Sequence, residues 1–322
     1  VSEYNIGGYI LFGRDFDGKT KDEVLDDIHS YQNEADIPLL IGVDEEGGTV
    51  VRVSSNPNLR ETPFLSPKDT YADGGWDAVK QDAEEKADLL FSLGINVNLA
   101  PVCDMTSDEY GFMYDRSFSS DVDMENRYVR TVVETSKSKK LGTVLKHFPG
   151  YGNNSDTHTG IAYDDRDYSE FENTDFKPFY QGIESGADCI LVSHNIVNCM
   201  DSEYPASLSQ KVHDILRNEF KFDGVIMTDD LIMDAITDFT GDEAAAVTAA
   251  KCGNDLLCCS SVNTQYPAVL EAVQNGEIPE AQVDASVKRI LKWKQNLGIF
   301  SIDTYQKKVK STEPTDTVGS EE

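Results

Sequence analysis

Three short segments carry side chains that could do chemistry together. The first, KHFPGYGNNSDTHTG (residues 146 to 160), ends an apolar run in Lys146 and His147 and turns tightly through Pro149, Gly150 and Gly152. It continues to Asp156 and His158. An aspartate two residues before a histidine can accept from one imidazole nitrogen, fixing the tautomer and raising the basicity of the other, which suits a proton shuttle. An isolated pair of this kind is more often a loop histidine bonded to a chance carboxylate; the rigid Gly/Pro loop and the strand-end position favour chemistry here. The second segment, GVIMTDDLIMDA (224 to 235), delivers two carboxylates at the end of a buried strand. Asp229 abuts the strand and is expected to project from its end, whereas Asp230 is expected to cap the following segment. The third, DEEGGTVVR (44 to 52), ends a strand in acid and enters a diglycine turn. Asp44 could accept from substrate hydroxyls and Arg52 donate to them; a helix cap for Asp229 and a charged β-turn for Asp44 are the bland alternatives.

These side chains need strands to deliver them. Apolar runs at Tyr9–Phe12, Leu39–Val43, Val97–Val102, Val144–His147, Cys189–His194, Gly224–Thr228 and Asp255–Cys259 alternate with stretches of helical period, the pattern of βα units around a parallel sheet. In SQKVHDILRNEF, Val212, Ile215, Leu216 and Phe220 share a face and Ser209 stands at the cap position. The last strong helix places Val283, Val287, Ile290 and Leu291 on one face, with Gly298 as its stop. The fold class is therefore α/β, a single TIM-type (β/α)₈ barrel over residues 1–300, followed by a polar tail over 301–322. Seven strand runs are one short of a closed barrel, so either a first strand is missing ahead of Val1, which the family resemblance given below favours, or the barrel is irregular; an open doubly wound sheet is the alternative. Strands two, four, five and six end in Asp44, Lys146-His147, His194 and Asp229, as barrel enzymes place catalytic groups at one mouth.

Composition narrows the partners. The 28 basic and 58 acidic residues leave a net charge of −30, a field that repels nucleic acid and anionic membrane surfaces. No run of 18 apolar residues is present, so no membrane insertion is expected. Cys103, Cys189, Cys199, Cys252, Cys258 and Cys259 show no paired CxxC spacing and several sit in apolar runs, which favours buried thiols and a cytoplasmic location, although a signal removed ahead of residue 1 would place the protein outside the cell.

Taken together the segments resemble glycoside hydrolase family 3, in its β-N-acetylhexosaminidase branch. The resemblance rests on Asp44, Glu46, Gly47, Gly48 and Arg52; on NVNLAPVCD through Asp104; on Arg116-Ser117-Phe118; on Lys146 to Gly150 with Asp156 and His158; and on Thr228-Asp229. Order and spacing hold from about Gly7 to Phe300. Tyr151 departs from the family's common histidine, the stretch from Gly152 to Asp156 is one residue short, and no proline follows His158 at the familiar spacing. The resemblance implies a retaining exo-β-N-acetylglucosaminidase with Asp229 as nucleophile, His158 as general acid/base and Asp156 as its partner. It implies that Asp44, Arg52, Arg116, Lys146 and His147 hold the sugar, and His194 is grouped with them as a further substrate contact. The expected substrate is a small N-acetylglucosamine-containing oligosaccharide or muropeptide, and no metal or other cofactor is expected. Three rivals share parts of this pattern. Zinc could be imagined on His147, His158, His194 and Asp229, but HxH and HExxH are absent and Lys146 opposes a cation. An inactive sugar-binding barrel would need no nucleophile. A phosphorylase would keep the fold and replace water with phosphate.

Overall fold

The computed structural model describes residues 3–154 and 160–306. Nine strands form: β1 (Gly8–Leu11), β2 (Leu40–Val43), β3 (Val97–Asn98), β4 (Gly142–Phe148), β5 (Tyr163–Asp164), β6 (Cys189–Val192), β7 (Ile196–Val197), β8 (Val225–Asp230) and β9 (Leu256–Cys258). Seven of them make one parallel sheet in the order β1-β2-β3-β4-β6-β8-β9, and β5 pairs with β7 in a separate parallel ribbon. The main sheet is a parallel α/β half-barrel with open edges at β1 and β9. Its strands match the seven apolar runs, several of them shorter than the run and β3 the most so. Val97–Val102 pairs as a strand only over Val97–Asn98, because Pro101 has no N–H to give to a ladder; an isolated bridge from Val102 to Lys146 resumes the contact.

Side chains alternate along each strand with period two. Leu40, Val144, Cys189, Leu191, Val225 and Met227 share one buried cluster on the concave face, where Trp293 and Leu297 join them. Their sequence neighbours Leu145, Ile190, Val192 and Ile226 pack outward in another, with Phe148, Phe176, Phe179 and Val133 from β4 and the covering helices. Ile41 and Val43 pack likewise beside Ile28 and Leu90. A cavity of about 720 Å³ opens on the concave face between β1 and β9, lined by Ile10, Leu40, Leu99, Val144, Met227 and Trp293.

Capping residues start the crossover helices where side chains can satisfy free N–H groups. Thr20 opens Lys21–Asn33 with Glu23 reciprocating, Ser66 opens Pro67–Ser92, and Asp121 opens Val122–Ser138. Ser209 caps Gln210–Asp214 as its position implies, and Val212, Ile215, Leu216 and Phe220 are all buried. The last helix, Glu280–Asn296, is rotated from the face its sequence suggests: Val287 is exposed, and Ile290, Trp293 and Leu297 carry the inward contact. Trp293 supplies that contact by lying against Gly142 at the start of β4, which draws the helix toward the strands' N-terminal ends. Residues 302–306 make a helical turn, and the Tyr305 ring lies 6.0 Å from that of Phe300. No helix among the described residues is long and apolar enough to cross a membrane.

Candidate active site

The carboxyl ends of β2, β3 and β4 bring Asp44, Asp104, Lys146 and His147 into one buried network, with Arg116 reaching in from the loop after β3. Lys146 Nζ sits 2.5 Å from Asp44 Oδ1 and 2.6 Å from Glu46 Oε1. Arg116 grips Glu46 with a two-pronged contact, Nε to Oε2 at 2.9 Å and Nη2 to Oε1 at 2.8 Å. Burial opposes ionisation of Glu46, but the Lys146 and Arg116 cations outweigh it and hold the carboxyl well below the usual range. Burial likewise works against the Lys146 ammonium, and Asp44 and Glu46 more than offset it, so Lys146 stays charged. Only Oδ1 of Asp44 enters the ion pair, and Asp44 is more exposed than Glu46 or Lys146. It is the member of the network best placed to meet a hydroxyl.

His147 has a defined tautomer. Its Nδ1 lies 2.7 Å from Asp104 Oδ2, and its Nε2 lies 3.2 Å from Arg116 Nη2. An arginine can only donate, so Nε2 accepts and the ring proton sits on Nδ1, donated to Asp104. Asp104, fully buried, also accepts from the backbone N–H groups of His147 (2.9 Å) and Tyr151 (2.8 Å). Tyr151, where the family commonly has histidine, is buried with its ring edge-on to His147 at 5.3 Å. The Lys146–His147 peptide is cis, as are Ala100–Pro101 and Phe148–Pro149.

Asp229 and Asp230 close β8. Asp229 is half-buried, and its Oδ1 accepts from the Asp230 backbone N–H at 2.9 Å. Asp230 binds away from it, accepting from Ile232 N–H and Ser260 N–H at 3.3 Å each and from Ser260 Oγ. That ties the β8 turn to the end of β9, rather than capping the next helix, Asp234–Thr237, whose N-cap is Met233. Burial pushes the Cys258 thiol up, and the neighbouring Asp230 and Asp229, then Cys259 and Asp44, push the same way. Asp44 and Asp229 are thus both close enough to the end of β9 to act on the Cys258 thiol.

Substrate contact was also expected of His194 and Arg52. His194 is fully buried and spends both ring nitrogens inside the fold, Nδ1 on Ser207 Oγ at 2.7 Å and Nε2 on the Asp230 carbonyl at 3.0 Å. It thereby ties itself to the end of β8; the residue before it, Ser193, donates to the Phe148 carbonyl and to Asn195. His147 and His194 thus have no ring nitrogen left for a metal, and among the described residues no group of three or more His, Cys, Asp or Glu could hold one. Arg52 is half-buried with its Nε lacking a hydrogen-bond partner, and its backbone N–H is fixed by Glu45. Asp156 and His158 lie outside the described residues.

Three working residues had no assigned role in the sequence. Glu46 is the shared anion for both cations. Asp104 sets the His147 tautomer. Glu45, fully buried, accepts from the N–H groups of Arg52 (2.9 Å), Val53 (2.7 Å) and Ser54 (3.3 Å) and shapes the turn after β2. The signal for Glu45 was an unbroken acidic run at a strand end, where one member must be consumed by backbone donors.

Parallel strands that carry charged side chains at their C-terminal ends are the arrangement of a barrel-type α/β enzyme. The family model for the glycosyl hydrolase family 3 N-terminal domain matches residues 1–293, and the chain belongs to that family. It is 32% identical over 286 residues to a beta-hexosaminidase of Hydrogenovibrio crunogenus, covering 86% of this chain and 79% of the relative. It is 31% identical to the beta-hexosaminidase LpqI of Mycobacterium tuberculosis, covering 90% and 76%. Among solved structures it is similar to a family 3 β-N-acetylglucosaminidase from Paenibacillus sp. (TM-score 0.86, 29% identity), covering 92% of this chain and 57% of that one. This chain spans little more than half of that larger protein.

Proposed function

We propose that the protein is a retaining exo-β-N-acetylglucosaminidase that removes a terminal β-linked N-acetylglucosamine from small cell-wall-derived fragments. The observation that carries this reading is the Asp44–Lys146–Glu46–Arg116 cradle at the C-terminal ends of the sheet whose strand β8 also ends in Asp229. Such a set of charged donors and acceptors can order sugar hydroxyls beside a strand-end carboxylate. The names of the relatives agree with it. In the mechanism, Asp229 attacks the anomeric carbon and forms a glycosyl-enzyme as the glycosidic bond breaks. His158 gives its proton to the departing oxygen and then takes one from the incoming water, with Asp156 orienting the imidazole. Asp44, Lys146, Arg116 and His147 hold the sugar, Arg52 contributes from the turn after β2, and His194 steadies the backbone that presents Asp229. The sheet is taken as the larger part of a (β/α)₈ barrel; the inward row Leu40, Val144, Leu191 and Met227 supports this reading.

Steady-state rates on an aryl β-N-acetylglucosaminide and the matching β-glucoside test the reading. Discrimination on the order of 10⁴-fold in kcat/KM is expected, because a site that binds the acetamido group leaves polar groups unpaired without it. Comparable values would contradict it. With a muropeptide disaccharide as substrate, the free sugar is expected with or without phosphate; a phosphate-dependent sugar 1-phosphate would identify a phosphorylase instead.

A further inference from the structure

A small cavity of about 210 Å³ lies at the N-terminal ends of β8 and β9, away from the strand ends that carry Asp44 and Asp229. Asp255, just before β9, lines it together with Arg289 from the helix Glu280–Asn296, Lys251 at the end of the helix Asp242–Lys251, and Arg217. Its charge is inverted against the rest of the molecule. In a chain of net charge −30, Arg217, Lys251 and Arg289 stand here against the carboxylate of Asp255.

Asp255 takes Arg217 Nη2 at 2.5 Å and Arg289 Nη1 at 2.9 Å, so one buried negative charge answers two guanidinium groups. Arg217 Nη1 is spent on the uncharged carbonyls of Phe222 (2.8 Å) and Gly224 (2.7 Å). The outer carboxylates compensate weakly, because exposed ion pairs are screened by water. Arg289 Nε stands 3.9 Å from Asp223, whose side chain is 80% exposed, and Lys251 meets Glu277 at the surface. Burial works against the Arg217 cation, Asp255 offsets only part of that, and Arg289 adds to it, which leaves the guanidinium below its ordinary value.

Donors are also left over. Among the described residues, Arg217 Nε and Arg289 Nη2 give their N–H groups to no acceptor. The carbonyls that end the neighbouring helix are already taken, Ala249 by Asn254 Nδ2 at 2.9 Å and Ala250 by Gln282 Nε2 at 2.6 Å. His213, which also lines the cavity, is not a further cation: its Nδ1 donates to the Ser209 carbonyl at 2.8 Å, and burial holds its imidazole below the ordinary value.

We propose that this cavity binds a tetrahedral oxyanion of the phosphate class between Arg217, Arg289 and Lys251. Guanidinium forks match the oxygens of such an ion. The volume falls below the roughly 300–1,000 Å³ of sites for drug-sized ligands, so it suits a small ion. Bound there, the anion balances the excess charge at the end of the sheet remote from the sugar-binding cradle.

Calorimetric titration of the full chain with inorganic phosphate, at an ionic strength held constant with chloride, tests the site. One phosphate per chain is expected, displaced by sulfate and indifferent to N-acetylglucosamine. Arg289→Gln is expected to weaken binding about tenfold or more, the worth of one hydrogen bond to a charged group. Asp255→Asn, which removes the competing negative charge, should tighten it, and Arg52→Gln, at the other end of the strands, should leave it unchanged. Should Arg289→Gln fail to fold, Lys251→Gln, at a side chain 40% exposed, is expected to weaken binding by a smaller factor. Glycerol 3-phosphate titrated in parallel distinguishes two sources of the same group: tighter binding than phosphate identifies a phosphate monoester as the occupant, weaker binding the free ion. No phosphate binding above the chloride background overturns the proposal. So does a loss caused by Arg52→Gln and not by Arg289→Gln or Lys251→Gln, or a folded Asp255→Asn that binds phosphate no more tightly.

Discussion

At the N-terminal ends of β8 and β9, the carboxylate of Asp255 is saturated. It accepts from Ser286 Oγ (2.7 Å), Arg289 Nη1 (2.9 Å), Arg217 Nη2 (2.5 Å) and the backbone N–H of Ile226 (2.9 Å), and its side chain is 1% exposed. At the opposite, C-terminal ends of the strands, Asp44 holds Lys146 through one oxygen and Asp229 is half-buried at the rim. Both ends bury charge, yet the carboxylates at the C-terminal end are the more exposed. A carboxylate with every lone pair spent on the fold can bind nothing further, whereas Asp44, which meets Lys146 through Oδ1, is held by its neighbours and is still reached by solvent. The asymmetry follows the barrel rule that the bottom face serves stability and the top face chemistry.

Breaking the two ends separately should therefore give opposite phenotypes. Asp229→Asn preserves shape and removes the nucleophile's charge; turnover should fall by at least about 10⁴-fold with the melting temperature little changed. If Asp230→Asn proves the more damaging of the two, the nucleophile is the neighbour. Asp255→Ala should do the reverse. It leaves Arg217 and Arg289 facing each other without their shared anion, and urea titration should show a loss of about 3–5 kcal/mol. Activity per folded molecule should stay near wild type; a selective loss of kcat would join the bottom network to catalysis and erase the contrast.

A smaller effect sharpens the comparison within the top half. Glu125 lies fully buried near Asp104, with Oε1 unpartnered and Oε2 accepting from Ser119 N–H at 2.9 Å. Burial holds its carboxyl well above the usual range, the opposite of Glu46, which has two cations. The sign follows from linkage. A group whose pKa is raised by folding contributes fully below its unfolded value of about 4.3, and that contribution fades as pH rises toward the folded value. Glu125→Gln removes the titration, so the stability of wild type relative to the variant should decline as pH climbs from about 4.3, read by denaturant unfolding at a series of pH values. A difference that stays flat across that range would mean Glu125 ionises in the folded protein at no penalty.

The parts of this molecule legible in its sequence are those with local signatures. An apolar run ending in an ionisable residue marked Asp44, Lys146 and Asp229, and period-two alternation marked the main strands. Glu46 and Asp104 were visible as motif letters but not as hubs, because their partners stand 70 and 43 residues away and only the closing of the sheet brings them together. The ribbon of β5 and β7 has two residues per strand, too few for any period to register. The seat of the His194 ring between Ser207 and the Asp230 carbonyl was likewise not legible, because its partners stand 13 and 36 residues away.

In the proposed mechanism Asp229 attacks the sugar covalently, and rapid quenching of the His158→Ala variant with dinitrophenyl β-N-acetylglucosaminide, followed by intact-mass and peptide analysis, tests this directly. A burst of dinitrophenol is expected, matched by one N-acetylglucosaminyl adduct per protein, on the peptide carrying Asp229 and absent from Asp229→Asn. No adduct despite a burst, or an adduct placed on Asp230, would contradict it.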